Sequence, residues 1–454
     1  MKSNSTNNGL DRKLGPFPLT NIVIANMIGT GIFTTSGLLM QNLHHPVLMI
    51  GLWIAAGIIA LSGALCYGQL GASFPQAGGE YIFLSRLYHP IFGFLTGWVS
   101  FYVGFSAPIA AAGIASSSYF LQAFPQITER AAVLGIHDPG LIQKILALSI
   151  IIIFTVVHLH GVRFGARVQN VLTLLKIIFI ICLLLFGFSL GKGNLSHFHQ
   201  SQAFTLDLSG WKMIGLSLMW ILFAFSGWNA VTYIGSEVKD PKRNTPLSLL
   251  LGTGVVTVLY VLLNILYVYA VPPAEMEGVI PVGGLTVKYL FGSSLETFFS
   301  LFIALALLSS ISAFIILGPR IYYAMAKEGY FFRFAARVNP SSHVPSLSIV
   351  IQGILASVMI LTGTFDQILT YMGFSLGIFP ILAVFSVFKL KKQKPDTFFL
   401  PAFPLPPLLY GSVSIAILIL AYMQRPLESS LALGVVLVGI PIYLIFKKRK
   451  SNNK

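Results

Sequence analysis

Two short stretches of this sequence could bind a charged small molecule with backbone atoms alone. Residues 29–31 read Gly-Thr-Gly and interrupt the apolar run 17–40, and residues 226–227 read Ser-Gly and interrupt the run 211–236. Glycine costs about 1 kcal/mol relative to alanine inside a helix, so both positions predict helix breaks. A break frees N–H groups, which attract a carboxylate, and carbonyl groups, which attract an ammonium. The two breaks therefore predict a site for a zwitterion.

The alternative for either break is close helix packing, since small residues let membrane helices approach each other. The breaks fall in the first and sixth apolar runs of the chain. They occupy corresponding positions if runs one to five and six to ten form two repeats. Paired, glycine-interrupted spans in two halves of a chain are typical of a transporter binding site. The matched pair favours the binding site over simple packing.

Lys176 is the only lysine or arginine well inside an apolar run, in the sequence VLTLLKIIFIICLLL. An ionisable residue at such a depth is a functional candidate by default. Its ammonium could occupy a cation site braced against the first span, and it could exchange a proton during a reaction cycle. The alternative is that the long side chain extends to the membrane interface, about eight residues or about 12 Å away along a helix.

Other polar residues in the apolar runs give weaker signals. His158 and His160 have no further metal ligands near them, so they predict an interfacial cluster, and no metal or cofactor is expected. Glu80 is expected to be structural and to pair with Arg86 in an amphipathic loop helix. No HExxH, P-loop or GxSxG pattern occurs, so an enzyme is not expected.

Hydroxyl and aromatic groups supply the remaining candidates. Ser309, Ser310 and Ser312 are interpreted as packing or helix-bonding hydroxyls. Ser106, Ser310 and Trp228 are candidates for lining a side-chain pocket.

The composition places these residues in a membrane. Of the 454 residues, 55% are hydrophobic and 9% are charged, whereas soluble domains carry about 25% charged residues. The net charge of +15 does not indicate nucleic-acid binding, because the basic residues lie in short loops between apolar runs. Both cysteines, Cys66 and Cys182, lie in apolar runs, which excludes an extracellular disulfide framework. No cleavable signal peptide is expected, since the polar start leads directly into a full-length apolar run.

A helix needs about 20 apolar residues to cross a bilayer, and this criterion predicts twelve spans. They are 17–40, 47–72, 91–120, 142–160, 168–190, 211–236, 246–272, 293–325, 345–363, 366–388, 402–423 and 427–446. With twelve spans both termini share one side, and 22 of the 29 lysines and arginines fall on that side against six on the other. The positive-inside rule therefore predicts that both termini are cytoplasmic.

Four stretches of the sequence resemble a known family. Residues 29–33 resemble the GSGIF-type motif in the first span of the amino acid–polyamine–organocation transporters. Residues 223–229 with 237–246 are similar to the sixth span and following loop of the L-type amino acid transporters. Residues 63–71 with 75–81 resemble that group's second span and first cytoplasmic loop, and 318–329 with 338–340 resemble the end of its eighth span. The resemblance runs from about residue 15 to 390, with the motifs in the same order.

The resemblance implies an all-α polytopic membrane protein with about 12 transmembrane helices. In this LeuT-type fold, a 5+5 inverted repeat is followed by two additional helices. The expected units are a cytoplasmic tail at 1–16, a first repeat at 17–190, a second repeat at 211–388, two further spans at 402–446 and a cytoplasmic tail at 447–454.

The resemblance also implies a substrate site. The substrate carboxylate would meet the backbone amides of Thr30 and Gly31, and the ammonium would meet the carbonyls of Met27, Phe223 and Ser226. Phe223 resembles the family's aromatic gate over bound substrate. The predicted substrate-binding residues are Met27, Gly29, Thr30, Gly31, Phe223, Ala224, Ser226, Gly227 and Trp228, and the predicted coupling residue is Lys176.

Three features of this chain refine the expectation. The mammalian L-type members pair with a glycoprotein through a cysteine in the outer loop between spans three and four, but residues 121–141 contain none, so no disulfide-linked heavy subunit is expected. Ser226 replaces a common glycine, which would narrow the pocket. Family members often carry a lysine at the position of Lys176, where sodium-coupled relatives bind sodium, so sodium coupling is not expected and proton coupling or exchange stays open.

The expected function is a secondary active amino acid transporter that works by alternating access. No acidic residue lies clearly within a span to receive a cationic side chain, so a neutral L-amino acid is the expected substrate, carried by proton symport or by exchange. The alternatives are a cationic amino acid or polyamine transporter of the same fold and, from another class, a transporter-like amino acid receptor. The expected partners are the substrate, protons and the lipid bilayer, without nucleic acid, and the expected location is a bacterial inner membrane.

Overall fold

The structure is a computed structural model that describes residues 12, 14–76, 78–133, 135–159, 162–339 and 344–452. This part of the chain forms α-helices joined by short loops, and it contains no β-sheet. His160, residue 340 of the family motif, most of the tail 1–16 and the end of the tail 447–454 lie outside the described residues.

Nine helices lie in the first part of the chain, counted over the residues that the structure describes. They are α1 (Pro16–Met27), α2 (Thr30–Leu43), α3 (Pro46–Ser73), α4 (Glu80–Leu87), α5 (Pro90–Val99), α6 (Ser106–Ala123), α7 (Gln126–Val133), α8 (Pro139–Leu159) and α9 (Val162–Leu190). Several of these helices begin with proline in the first turn, where its missing N–H costs no hydrogen bond.

Nine further helices follow in the described part of the chain. They are α10 (Leu208–Ala224), α11 (Pro241–Ala270), α12 (Pro273–Met276), α13 (Val282–Phe291), α14 (Ser293–Lys327), α15 (Ser346–Thr362), α16 (Phe365–Gln393), α17 (Leu405–Gln424) and α18 (Pro426–Asn452). The start of α10 is fixed by Asp207, whose carboxylate accepts a hydrogen bond of 2.8 Å from the Gly210 N–H.

Each of the twelve predicted spans coincides with a helix. By length and composition, eight spans are long and apolar enough to cross a membrane, and the bent pair α1 and α2 forms a ninth. Three shorter apolar helices supply the rest: Leu174–Leu190, Leu208–Ala224 and Ser346–Thr362. The predicted all-α polytopic membrane fold is confirmed.

The third span is interrupted, although the sequence predicts one continuous helix over 91–120. Between α5 and α6, Ser100–Gly104 form a π-helix. The hydroxyl of Tyr322 in α14 donates a hydrogen bond of 3.3 Å to the Ser100 carbonyl, which satisfies one acceptor of the irregular turn. Backbone that departs from the α-helix at this depth is tolerated because it is buried in protein.

The two halves of the first span differ in burial. In α2, residues 30–40 are all buried together with Leu43, whereas α1 buries only Leu19, Val23 and Met27. Phe17 at the start of α1 is 76% exposed. The second half of the first span therefore lies in the centre of the bundle, and the first half lies at its edge.

Candidate binding site at two helix breaks

The first break separates α1 from α2 at Ile28 and Gly29. Both residues adopt extended backbone angles, and the two helices meet at a bend of 41°. Thr30 and Gly31 open α2, so their N–H groups have no acceptor within the helix. The N-terminus of a buried helix thus points its free amides into the centre of the bundle.

The second break follows α10. Residues 225–229 form turns, and Ala230–Glu237 continue as a 3-10 helix. Gly227 has a φ of +99°, in the left-handed region that favours glycine, and a Cβ there would lie 2.8 Å from the backbone carbonyl of Asn26. The conformation and the close approach to the first span both require glycine at this position.

The two breaks contact each other directly. A Cβ on Gly31 would lie 2.3 Å from the Cβ of Ala224, so the glycine lets the start of α2 reach the end of α10. The free amides of one span and the terminal carbonyls of the other therefore lie side by side. This arrangement can hold a carboxylate and an ammonium on neighbouring atoms.

One hydroxyl group connects both breaks. Tyr260 in α11 donates a hydrogen bond of 2.7 Å to the Met27 carbonyl, and its Oη lies 3.1 Å from the Ala224 carbonyl. A hydroxyl has one proton and can serve only one of these carbonyls at a time. The other carbonyl keeps a free lone pair for a ligand.

Tyr260 is absent from the predicted site residues, although the sequence carries a signal for it. Asn264 accepts a hydrogen bond of 2.6 Å from the Ser36 hydroxyl, and Tyr267 donates one of 3.3 Å to the Ile32 carbonyl. Positions 260, 264 and 267 follow helical spacing and share one face of α11. A polar stripe on an otherwise apolar span indicates contact with a polar backbone segment.

Lys176 in α9 lies at the first break. Its side chain is 1% exposed, and its Nζ donates a hydrogen bond to the Ile28 carbonyl. The ammonium therefore contacts the break and does not extend to the membrane interface. Of the two interpretations from the sequence, the structure favours the brace against the first span.

A small cavity lies between the breaks. Its volume is about 30 Å³, enough for one or two water molecules. Its lining is Ala25, Asn26, Met27, Gly29, Thr30, Gly31, Lys176, Phe223, Ala224, Ser226, Ser309, Ser310, Ala313 and Phe314. Seven of the nine predicted substrate-binding residues line this cavity, together with Lys176 and with Ser310 from the candidate pocket liners.

The other predicted residues lie elsewhere. Gly227 packs against the Asn26 backbone, and the Trp228 ring contacts the rings of Tyr67 and Tyr410 at centroid distances of 4.7 and 5.9 Å. Ser106 donates a hydrogen bond of 3.3 Å to the Phe101 carbonyl within its own span.

α14 contributes a cavity residue that the sequence did not distinguish from packing hydroxyls. The Ser309 hydroxyl is buried, lines the cavity and has no hydrogen-bond partner among the described residues. A buried hydroxyl without a partner is costly unless something in the cavity supplies one. Ser309 therefore shows that α14 forms one wall of the cavity, together with the two breaks.

Comparison with known proteins identifies the family. The family model for amino acid permeases matches residues 14–443. The chain belongs to this family. It is an amino acid transporter of the amino acid–polyamine–organocation superfamily, a multi-pass membrane protein and not an enzyme.

The permease is similar to curated transporters along nearly its whole length. It is 27% identical to the serine/threonine exchanger SteT of Bacillus subtilis (strain 168), over 98% of this chain and 99% of the relative. It is 26% identical to the b(0,+)-type amino acid transporter 1 of Mus musculus, over 96% and 82% of the two chains. The large neutral amino acids transporter small subunit 2 of Mus musculus is also 26% identical, over 96% and 81%.

The loop after α12 and Tyr119 both contact the second half of the first span. Phe223 is 8% exposed, and the loop after α12 covers α2, with the Gly278 N–H donating a hydrogen bond of 2.9 Å to the Gly37 carbonyl. The Tyr119 hydroxyl donates a hydrogen bond of 2.5 Å to the Phe33 carbonyl.

Glu80 begins the loop helix α4 and does not pair with Arg86. The two residues are six positions apart, which places them on different faces of a helix, so the predicted ion pair is wrong. The Glu80 Oε1 accepts hydrogen bonds of 2.8 Å from the Tyr67 hydroxyl and 2.8 Å from the Asn229 amide. Burial raises the pKa of the Glu80 carboxyl to about 7, and these two hydrogen bonds oppose the shift.

His158 is buried in the last turn of α8. Its Nε2 lies 3.0 Å from the Ser312 hydroxyl in α14, so this histidine connects two spans. Within the described ranges, no group of three histidine, cysteine or acidic residues could hold a metal ion.

Proposed function

We propose that the permease binds a zwitterionic amino acid at the two helix breaks and carries it by alternating access. The observation that supports this proposal is the single cavity lined by both breaks. The amides of Thr30 and Gly31 would receive the substrate carboxylate. The carbonyls of Met27, Phe223 and Ser226 would receive its ammonium, since a carbonyl oxygen has two lone pairs and accepts a second hydrogen bond.

The proposed substrate is a neutral L-amino acid. The cavity lining includes the polar side chains of Asn26, Ser309 and Ser310 but no acidic residue. Its one charged side chain is Lys176, which repels a cationic side chain and disfavours arginine, lysine and polyamines. The printed names of two relatives, a serine/threonine exchanger and a large neutral amino acids transporter, support the same substrate class.

The proposed transport mode is exchange of one amino acid for another. The Lys176 ammonium donates a hydrogen bond to the Ile28 carbonyl. It would thus take the place of the sodium ion that a sodium-coupled transporter binds at the first break. The name of the Bacillus subtilis relative supports exchange. Proton symport is the alternative outcome of the experiment below.

The proposed organisation follows the two breaks. Residues 17–190 and 211–388 form the two inverted repeats, each with a broken first span, and residues 402–446 add two spans. The 22 basic residues on the terminal side support cytoplasmic termini in a bacterial inner membrane. No disulfide-linked heavy subunit is proposed, because residues 121–141 contain no cysteine.

Uptake of radiolabelled amino acids into proteoliposomes tests the proposal. Liposomes preloaded with an unlabelled neutral amino acid are expected to take up label, and empty liposomes are not. Uptake into empty liposomes that depends on an inward proton gradient would replace exchange by proton symport. Binding without any uptake would instead indicate a transporter-like receptor and overturn transport itself.

Gly31→Leu tests the location of the site. A side chain at position 31 would collide with the backbone of Ala224, 2.6 Å from the first added atom, and push the two breaks apart. We expect a folded protein that no longer binds substrate. Gly254→Leu is the matched control, because nothing lies within 4 Å of the added atom in α11. Unchanged affinity in Gly31→Leu would refute this placement.

A further inference from the structure

Glu80 is a buried carboxyl group outside the membrane-spanning helices, and the proposed substrate site does not use it. It is 6% exposed. Three tyrosines face it from other elements: Tyr67 from α3, Tyr233 from the 3-10 helix and Tyr410 from α17. Among the described residues, none of the titratable groups that act on its carboxyl is cationic. Burial of a carboxyl group without a cationic partner disfavours its ionised form, which raises its pKa.

Backbone hydrogen bonds tie the chain around Glu80 to the second half of the broken sixth span. The N–H groups of Gly78 and Gly79 donate hydrogen bonds of 3.2 Å to the carbonyls of Tyr233 and Thr232. Gly79 has a φ of +49°, and a Cβ there would lie 2.9 Å from the Tyr233 ring. Residues 78–80, which we term the latch, therefore lie directly against the 3-10 helix at Ala230–Glu237.

The start of the first span is attached to the same 3-10 helix. The Leu14 N–H donates a hydrogen bond of 3.0 Å to the Glu237 carbonyl, and the Lys239 N–H donates one of 2.9 Å to the Leu14 carbonyl. The latch, the 3-10 helix and the beginning of α1 thus form one connected layer on the terminal face. Movement of the 3-10 helix away from the latch must break the contacts of Glu80 with Asn229.

Protonation and packing of this layer are thermodynamically linked. The Glu80 carboxyl has a pKa of about 7 when buried and 4.5 in water, so the packed layer binds the proton more tightly than a layer opened to water. Below about pH 7 the protonated carboxyl favours the packed layer. Above about pH 7 the carboxyl is ionised and disfavours the packed layer. The full difference between the two pKa values corresponds to about 300-fold in the equilibrium between the packed and the open layer.

We propose that Glu80 is a proton-binding site that couples a proton to the closing of the latch against the sixth span. When the layer opens, the Glu80 O–H bond breaks and the proton passes to water on the terminal face. When the layer closes, a proton from that water binds the carboxylate again. This inference rests on the proposed transport function, because it assigns the layer a movement in the transport cycle.

Exchange rates at equal pH on both sides of proteoliposomes test the inference. With saturating substrate, we expect the wild-type rate to rise about tenfold from pH 6 to pH 8, following the ionised fraction of a group that titrates near 7. Glu80→Gln keeps the group neutral and is expected to hold the rate at its low-pH level throughout. Glu328→Gln is the control: this exposed carboxylate also accepts a hydrogen bond from a tyrosine, Tyr81, and we expect the wild-type pH profile.

A spectroscopic measurement covers the case in which Glu80→Gln folds poorly. In wild-type protein, a protonated-carboxyl band in infrared difference spectra is expected to disappear with a midpoint near pH 7. Tyr67→Phe removes a hydrogen bond that favours the ionised form, so it should raise this midpoint. A band that titrates below pH 5, or a pH profile of transport that survives in Glu80→Gln, would overturn the inference. Absence of transport in every variant at every pH would reject the transport proposal. The infrared midpoint alone would then decide whether Glu80 binds a proton near pH 7.

Discussion

Tyr260 provides the sharpest test of how the two helix breaks are held together. Tyr260→Phe removes the hydroxyl that donates to the Met27 carbonyl and lies 3.1 Å from the Ala224 carbonyl, while the ring and its packing remain. The variant leaves buried backbone acceptors without this donor. An unsatisfied buried acceptor costs about 1–3 kcal/mol, which is about 5- to 150-fold in an equilibrium constant. We expect this cost to destabilise the conformation in which the Tyr260 hydroxyl connects the two breaks.

The bound substrate changes the expectation in a measurable way. Its ammonium can donate to the carbonyls that Tyr260→Phe leaves free, so the substrate should stabilise the variant against thermal unfolding more than it stabilises wild type. The exchange rate should fall by a factor within the 5- to 150-fold range, because the substrate-free site forms between release of one amino acid and binding of the next and lacks the Tyr260 donor. Both quantities are measured on detergent-solubilised protein and on proteoliposomes from one preparation.

Tyr267→Phe is the matched control. Tyr267 lies on the same face of α11, is equally buried and donates one hydrogen bond of 3.3 Å to the Ile32 carbonyl, which belongs to the first turn of α2 and does not line the cavity. We expect a loss of stability without a larger effect of the substrate. Equal transport in Tyr260→Phe and wild type, or equal losses in both variants, would refute the role of Tyr260 at the breaks.

Three further predictions concern the groups around the site. Lys176→Ala removes the charged donor at the Ile28 carbonyl and should lower the exchange rate about tenfold or more, whereas Lys144→Ala, which removes a half-buried lysine distant from the cavity lining, should not; equal activity of both variants would show that Lys176 is dispensable. Gly227→Ala should cost at least about 1–2 kcal/mol in the free energy of unfolding, since the positive φ alone has this cost and the added Cβ also approaches the Asn26 backbone; a thermal unfolding midpoint equal to wild type would contradict this prediction. Folding raises the Glu80 pKa, so the contribution of this carboxyl to stability is complete below pH 4.5 and is lost as the pH rises through about 7. The unfolding free energy of wild type should therefore fall between these pH values relative to that of Glu80→Gln. Parallel pH curves of the two proteins would exclude the raised pKa.

The positions of the spans and of both breaks could be predicted because they depend on local sequence. A run of about 20 apolar residues predicts a crossing, and glycine within such a run predicts a break whatever the neighbouring helices are. Lys176 was predictable for a similar reason, since a charged residue within an apolar run is rare. These signals require no knowledge of which helices touch.

The contacts between distant parts of the chain could not be predicted in the same way. Tyr260 reaches the breaks only because α11 packs beside both broken spans, and Trp228 contacts Tyr67 and Tyr410 only because α3 and α17 pack beside the turn at residues 225–229. The partners of Glu80 lie 13 and 149 residues away along the chain. Each of these depends on tertiary packing, which periodicity and composition do not specify.

The end of the sixth span is more extended than an α-helix of the same residues would be. Ala230–Tyr233 form a 3-10 helix, which ends at Ile234, where φ is −112° and the helix is kinked. A 3-10 helix rises about 2.0 Å per residue and an α-helix about 1.5 Å, so these four residues are about 2 Å longer than they would be in α-helical form. Because Leu14 is hydrogen-bonded to the Glu237 carbonyl beyond the kink, a change in helix winding here can shift the start of the first span without rotation at a hinge.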